Sequence, residues 1–387
     1  MPLSTTAPLL SARLQSIDAL RGLIILLMLL DHVRETFYLH MQVTDPVLID
    51  TTEPALFFSR SLAHLCAPLF IFLSGLSAFL YGQKQQSKAD VARFLCTRGL
   101  FLVALEFTLV NFAWTFELPP SVIYLQVIWA IGLSMLALSV LIWLPRALLV
   151  ALGLLIIGGH NLLDSLSFAK ESFWHIPWAV LHDRGWIELS ESLRLRTSYP
   201  VLPWIGVIAL GYAAGPWFTH ATSATQRRRY LLRSGLLALG LFILLRLLNG
   251  YGEQPWQPYD SPLLTLMSVL NITKYPPSLL FLALTLGLGL LILRSLERVQ
   301  ARAWVRPLVA FGGAPMFFYL LHLYVLKLLY LTAVAIWGLN QGAFFGFDQF
   351  AWVWLCTALL AVALYPTTHW FAALKVRRRD ITWLKYF

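Results

Sequence analysis

From residue 17 to residue 373 the chain alternates between long apolar runs and short polar breaks. A helix crosses a bilayer with about 20 apolar residues, and by that measure the pattern predicts about ten spans. They fall at residues 17–39, 56–81, 93–115, 121–143, 146–163, 199–219, 230–249, 276–294, 305–337 and 350–373. The fifth is short. The ninth is long and meets Gly312-Gly313-Ala314-Pro315, where a break is expected because proline cannot continue the backbone ladder. Residues 40–55, 164–198 and 250–275 form the long polar connections, none of a size for a large separate domain. Residues 1–387 therefore read as a single all-α, polytopic membrane domain. The first apolar run ends in DHVRE rather than at a small-residue cleavage site, which reads as a retained helix and not a cleaved signal.

Charge orients the spans. With the N-terminus in the cytoplasm, strict alternation puts 20 of the 29 Lys and Arg on the cytoplasmic side. These include Arg13, Arg21, Arg98, the Arg227–Arg229 run, Arg294, Lys375, Arg379 and Lys385. The outer side holds Arg34, Arg60, Arg184, Arg194, Arg196, Arg246, Lys170 and Lys274, and Lys327 falls inside the membrane. That bias predicts both termini inside. Composition agrees: 58% of residues are hydrophobic and 12% charged, with mean hydropathy +0.70. The formal net charge of +10 fits the positive-inside bias rather than nucleic-acid binding, since no Lys/Arg-rich arm with interleaved aromatics occurs. Cys66, Cys96 and Cys356 are far apart and apolar in context, and suit packing rather than disulfides or metal.

Ionisable groups within the spans are costly and usually face a cavity or a partner. The first span carries the sharpest set. Arg21 and His32 are eleven residues apart, close to three turns, so they share a helix face about 16 Å apart along the axis. Asp18 lies one turn from Arg21, either as a simple interfacial ion pair or as part of a site. Asp31 and Glu35 flank His32, and Glu35 at i+3 is in reach of the imidazole. Histidine is the side chain best suited to take a proton near neutral pH. His64 enters the second span at a matching depth and is expected to face His32, with Glu106 of the third span level with both. Asn271, Lys274 and Tyr275 precede the eighth span, where a helix N-terminus and a cation suit an anionic or polar group. His322 and Lys327 share one buried helix. His160 and Asn161 read as an interfacial polar pair. H-E-x-x-H, the phosphate-binding G-x-x-x-x-G-K-[ST] and G-x-S-x-G are all absent, so no metal is expected and ATP-driven pumping lacks support.

These segments resemble the transmembrane acyltransferases. RLQSIDALRGLIILLMLLDH carries the arginine, ten residues, histidine spacing of the acyltransferase-3 branch on Arg21 and His32. HLCAPLFIFLSG, NITKYPPSLLF and FGGAPMFFYLLHLY are similar to segments of the bacterial heparan-α-glucosaminide N-acetyltransferase-like branch. The resemblance implies transfer of an acyl group, acetyl first of all, from cytoplasmic acyl-CoA to a sugar amine or hydroxyl on the outer side. Arg21, Asp18, Arg98 and Arg294 are then candidates for holding the CoA, with Arg227–Arg229 as a further option. His32 is the candidate base, followed by His64 and then His40, with Glu35 or Asp31 orienting the ring. Lys274, Tyr275, Asn271, Glu106 and His322 are candidates for the acceptor. Direct transfer and an acyl-histidine intermediate both stay open. The expected location is a bacterial cytoplasmic (inner) membrane, with the bilayer, acyl-CoA and an extracytoplasmic glycan or amino sugar as partners. Nucleic acid is not expected, and a homodimer is left open. Two rival readings use the same groups: a proton-coupled transporter or flippase, and a structural membrane subunit.

Overall fold

The computed structural model describes residues 14–378, 380–381 and 383–384; Arg13, Arg379 and Lys385 lie outside the described residues. Among the described residues, fifteen α-helices follow one another: α1 (Gln15–Phe37), α2 (Pro54–Ala63), α3 (Cys66–Gly82), α4 (Lys88–Leu105), α5 (Asn111–Thr115), α6 (Val127–Leu141), α7 (Arg146–Gly159), α8 (His175–Leu181), α9 (Leu202–Ala213), α10 (Ala224–Leu248), α11 (Pro262–Leu270), α12 (Leu279–Val299), α13 (Arg306–Gly313), α14 (Pro315–Trp337) and α15 (Ala351–Arg377). A π-helical turn at Glu106–Val110 joins α4 to α5.

Among the described residues, seven helices are long and apolar enough to cross a membrane: Pro54–Gly82, Lys88–Thr115, Arg146–Leu163, Ala224–Leu248, Leu279–Val299, Pro315–Trp337 and Ala351–Arg377. The protein is an all-α integral membrane protein. Two expected spans are shorter, as α6 and α9. In α1, Asp18, Arg21, Asp31, Arg34 and Glu35 interrupt the apolar run, yet Leu20, Ile24, Ile25, Leu29 and Leu30 are almost fully buried. The helix packs against α13, α14, α15 and α12. A helix in that place needs no lipid-facing stripe, and its charges turn inward. The expected interruption at Ala314 is present: α13 ends, Ala314 adopts φ −137° and ψ 58°, and Pro315 starts α14.

Helix pairs close on small residues. A Cβ at Gly22 would lie 1.9 Å from the Leu308 carbonyl oxygen, and one at Gly312 would lie 1.8 Å from that of Asp18. The α1–α13 crossing therefore depends on backbone-to-backbone contact that any side chain would block. Gly75 of α3 and Gly211 of α9 repeat the device, each Cβ falling 2.1 Å from a carbonyl oxygen of the other helix.

One departure from the all-helical expectation is a small sheet: β1 (Val122–Leu125), β2 (Trp186–Glu188) and β3 (Arg194–Thr197), in the order β1-β3-β2. β1 runs parallel to β3, with Val122 opposite Arg194, and β2 antiparallel to it. The sheet ties the start of the expected span 121–143 to the connection 164–198. In the connection 250–275, Arg246 donates from Nε to the Val269 carbonyl at 2.8 Å, from Nη1 to that of Gln254 at 2.9 Å, and from Nη2 to that of Asn271.

Candidate functional site

Two cavities lie along α1. The first, about 300 Å³, surrounds Arg21 and is also lined by Arg98 of α4, Lys375 of α15, Ser77 and Tyr319. Asp18 is buried and accepts from Arg21 Nη1 at 2.9 Å, while Arg21 also donates to Ser77 Oγ. Asp18 thus aims the guanidinium and is not itself part of the lining. Lys375 Nζ donates to the Gly313 carbonyl at 3.1 Å, at the break between α13 and α14. Three cations from three distant parts of the chain therefore face one space. Arg294 does not line it, and the Arg227 guanidinium is taken by Glu297, Nε to Oε1 at 3.0 Å.

The second cavity, about 900 Å³, surrounds His32 and is lined by Asp31, Arg34 and Glu35 of α1, by Lys274 and Tyr275, and by Lys327. Val127 lines both cavities. Between them, the His32 ring meets Trp114 edge-on at 5.1 Å and Tyr319 at 6.0 Å between centroids. His32 stands at the partition.

Hydrogen bonding fixes the state of that ring. His322 is fully buried behind it. Its Nδ1 lies 2.7 Å from the Phe318 carbonyl, and its Nε2 lies 2.7 Å from His32 Nδ1. A carbonyl only accepts, so neutral His322 carries its proton on Nδ1 and offers a lone pair at Nε2. His32 Nδ1–H must then be the donor, and neutral His32 keeps a lone pair on Nε2. The chain of bonds sets His32 in the tautomer a general base needs.

The expected reach of Glu35 to the imidazole is not made. Glu35 Oε1 accepts from Arg34 Nη2 at 3.1 Å, and Asp31 Oδ1 accepts from Arg34 Nη2 at 2.8 Å and Nε at 3.0 Å. Arg34 gathers both acids and is 3% exposed; its spacing of three from Asp31 was the available signal. His64 makes no hydrogen bond or ring contact with His32 and does not line its cavity. It is buried at the junction of α2 and α3, against Phe281 at 5.2 Å. His40 packs on Tyr38 at 4.8 Å, outside both linings. Glu106 also lies outside them, its Oε2 accepting from the Trp129 backbone at 2.8 Å at the start of α6. There it offsets orphan donors at a helix N-terminus.

Lys274 and Tyr275 do come to the cavity. Asp45 Oδ2 accepts their backbone N–H groups at 3.0 and 2.9 Å, and its Oδ1 accepts from Arg60 at 2.8 Å. Asn271 holds the strap from the other side, pairing with the Val47 backbone at 2.9 and 2.8 Å rather than entering the cavity. Arg184 lies over the Tyr275 ring at 4.7 Å. Burial works against a charge on Lys274, yet Tyr275 and Asp31 hold its ammonium above the ordinary lysine value. Lys327 Nζ donates to the Trp114 carbonyl at 3.1 Å. Arg34, Arg184 and Tyr199 join the outer lining without having been singled out by motif.

The model of the heparan-alpha-glucosaminide N-acetyltransferase catalytic domain matches residues 13–245, more than half of the chain. The chain belongs to that family. Comparison with curated proteins gives no match. Family and helices together make this an integral membrane protein with an acetyltransferase-type catalytic domain. The match spans Arg21, Arg98 and His32, whereas Lys274, His322, Lys327 and Lys375 lie beyond it. Both cavities of this family member are completed by helices outside the matched segment.

Proposed function

We propose that the protein transfers an acetyl group from acetyl-CoA, bound in the Arg21 cavity, to a sugar amine or hydroxyl in the His32 cavity. The Arg21 side is cytoplasmic in this reading and the membrane is a bacterial inner membrane. The observation that carries the proposal is the location of His32 at the partition between a largely apolar cavity that holds Arg21, Arg98 and Lys375 and a more polar one, with Nδ1 engaged and Nε2 bearing the lone pair. Arg21, Arg98 and Lys375 would hold the donor's phosphates. The pantetheine arm would extend along α1 and bring the thioester to the partition. The acceptor nitrogen or oxygen attacks the thioester carbonyl carbon as His32 Nε2 takes its proton. The carbon–sulfur bond breaks, CoA leaves as a thiolate, and the proton on His32 returns to the thiolate. His322 acts as a positioning residue, and Lys274, Tyr275 and Lys327 bind the acceptor.

The test uses protein in liposomes, labelled acetyl-CoA on the Arg21 side and a panel of amino sugars and glycans on the other. Wild type should label an acceptor, and His32→Ala should lower the rate about 10²–10⁴-fold at equal yield and thermal midpoint. Equal rates in both would remove His32 as the base. Gradient-driven movement of a sugar without label would favour the transporter reading, which the paired cavities also suit.

A further inference from the structure

Away from both cavities, the end of α7 and the connection after it assemble a second cluster. His160 closes α7, Asp164 follows one turn later, and His182 ends α8. One ligand atom from each of the three lies within 4.8 Å of the others. Both histidines are buried, at 2% and 1% exposure. Neither ring nitrogen of His160 has a hydrogen-bond partner of normal geometry, although the Pro277 carbonyl faces the ring. A buried neutral imidazole with a carbonyl beside one nitrogen keeps a lone pair on the other that no donor meets, as a metal ligand would. We propose that His160, Asp164 and His182 form a site for a divalent transition metal of the zinc type, which clamps the connection 164–198 to the end of α7.

The details suit such an ion. His182 Nε2 and Asp164 Oδ1 are 3.4 Å apart, close to the edge of about 3.3 Å between ligands of tetrahedral zinc at bond lengths near 2.0 Å. The outer contacts of the ligands are in place as well. Asn161 Nδ2 donates to Asp164 Oδ2 at 3.0 Å, which leaves Oδ1 for the ion. Trp178 stacks on the His182 ring at 5.1 Å with 19° between planes. Asp183 Oδ1 stands 3.5 Å from His182 Nδ1. Without metal, His182 Nε2–H donates to the His160 carbonyl at 3.0 Å. On binding, that proton moves to Nδ1 beside Asp183, the His160 carbonyl gives up its hydrogen bond and turns aside, and Nε2 becomes the ligand with no net proton released. The Asp164 side chain is half exposed, so the ion enters from solvent and a water completes the fourth position. Two imidazoles and one carboxylate favour Zn²⁺ over Mg²⁺ or Ca²⁺, which prefer all-oxygen shells. The sequence hides the site because His182 stands 22 residues beyond His160. The proposal does not depend on acyl transfer.

The experiment is titration of full-length, tag-free protein with Co²⁺ after chelation. About one equivalent should bind with the intense visible absorption of a four-coordinate site, and Zn²⁺ should bleach it. Asp164→Asn changes a half-exposed position and should keep the fold while weakening Co²⁺ binding tenfold or more; His182→Ala should abolish it. Absence of uptake, a pale six-coordinate spectrum, or uptake untouched by Asp164→Asn would overturn the site and leave the cluster as plain hydrogen bonding.

Discussion

At the scale of single residues, the site depends on a chain of three groups. The Phe318 carbonyl accepts from His322 Nδ1, and His322 Nε2 accepts from His32 Nδ1, each at 2.7 Å. What His322 supplies is an acceptor at one point, and glutamine can offer its carbonyl oxygen near the same place. His322→Leu should therefore lower kcat about 10–100-fold with the donor KM unchanged, since the His32 ring loses its tautomer and orientation. His322→Gln should restore most of that loss. A purely structural role predicts the reverse ranking, because leucine would fill the buried space without an unpaired polar group. Steady-state kinetics of both variants at equal thermal midpoint decides. The sequence made His32 legible through the cost of an imidazole in a span. Its partner was not legible, because 290 residues separate the two histidines and helical periodicity says nothing about which helices touch. Glu35 misled for a different, local reason: spacing allows the imidazole contact, but its neighbour Arg34 competes for the carboxylate.

At the scale of elements, the first cavity takes its shape from the close approach of α1 to α13, since Arg21 and Met28 of one and Gly312 and Gly313 of the other line it. The crossing allows no side chain at Gly22 or Gly312, and it sets Arg21 in the lining of the first cavity beside Gly312, with Asp18 holding the guanidinium from behind. Gly312→Val must push the helices apart, at a cost of about 2 kcal/mol or more, in line with overpacking in cores. Thermal unfolding in detergent should show a lowered midpoint and size-exclusion a loss of the single species. Gly158→Ala is the control, since nothing lies within 4 Å of a Cβ there; an equal loss in both would refute the crossing argument. The break before Pro315 was readable in sequence, as proline chemistry is local. The sheet was not. Val122–Leu125 looks like the start of a span, and its partner Arg194–Thr197 carries two arginines. Those guanidinium groups lie over Trp186 at 4.8 and 4.9 Å, a tertiary arrangement that replaces the missing hydrophobic pattern.

On the scale of the whole molecule, the cations of the first cavity come from α1, α4 and α15. Charge bias along the chain could find Arg21 and Arg98 but not rank Lys375 above Arg294 or Arg227, because that ranking depends on how the helices pack. The assembly leads to a prediction that separates donor binding from chemistry. A charge-assisted hydrogen bond to phosphate contributes about 1.5–3 kcal/mol, and each 1.4 kcal/mol is tenfold in affinity. Arg98→Gln and Lys375→Gln should each raise the acetyl-CoA KM about tenfold or more, with kcat little changed. The salt dependence of that KM should weaken in both, since fewer phosphate charges are met. A truncated donor, S-acetyl-pantetheine, carries the same thioester without the nucleotide phosphates. Its kcat/KM should be lower than that of acetyl-CoA in wild type and the same in wild type and both variants. If instead the variants lose activity equally with the long and the short donor, the two cations act on the bundle or on the thioester, and the nucleotide lies elsewhere. Lys274→Gln provides the counterpart on the opposite side: it should raise the acceptor KM and leave the acetyl-CoA KM alone, because Lys274 lines only the second cavity. Donor and acceptor constants that respond to different cavities, one at Arg21 and one at His32, are what a catalyst reaching across the membrane requires, and a soluble-type single pocket would not give that separation.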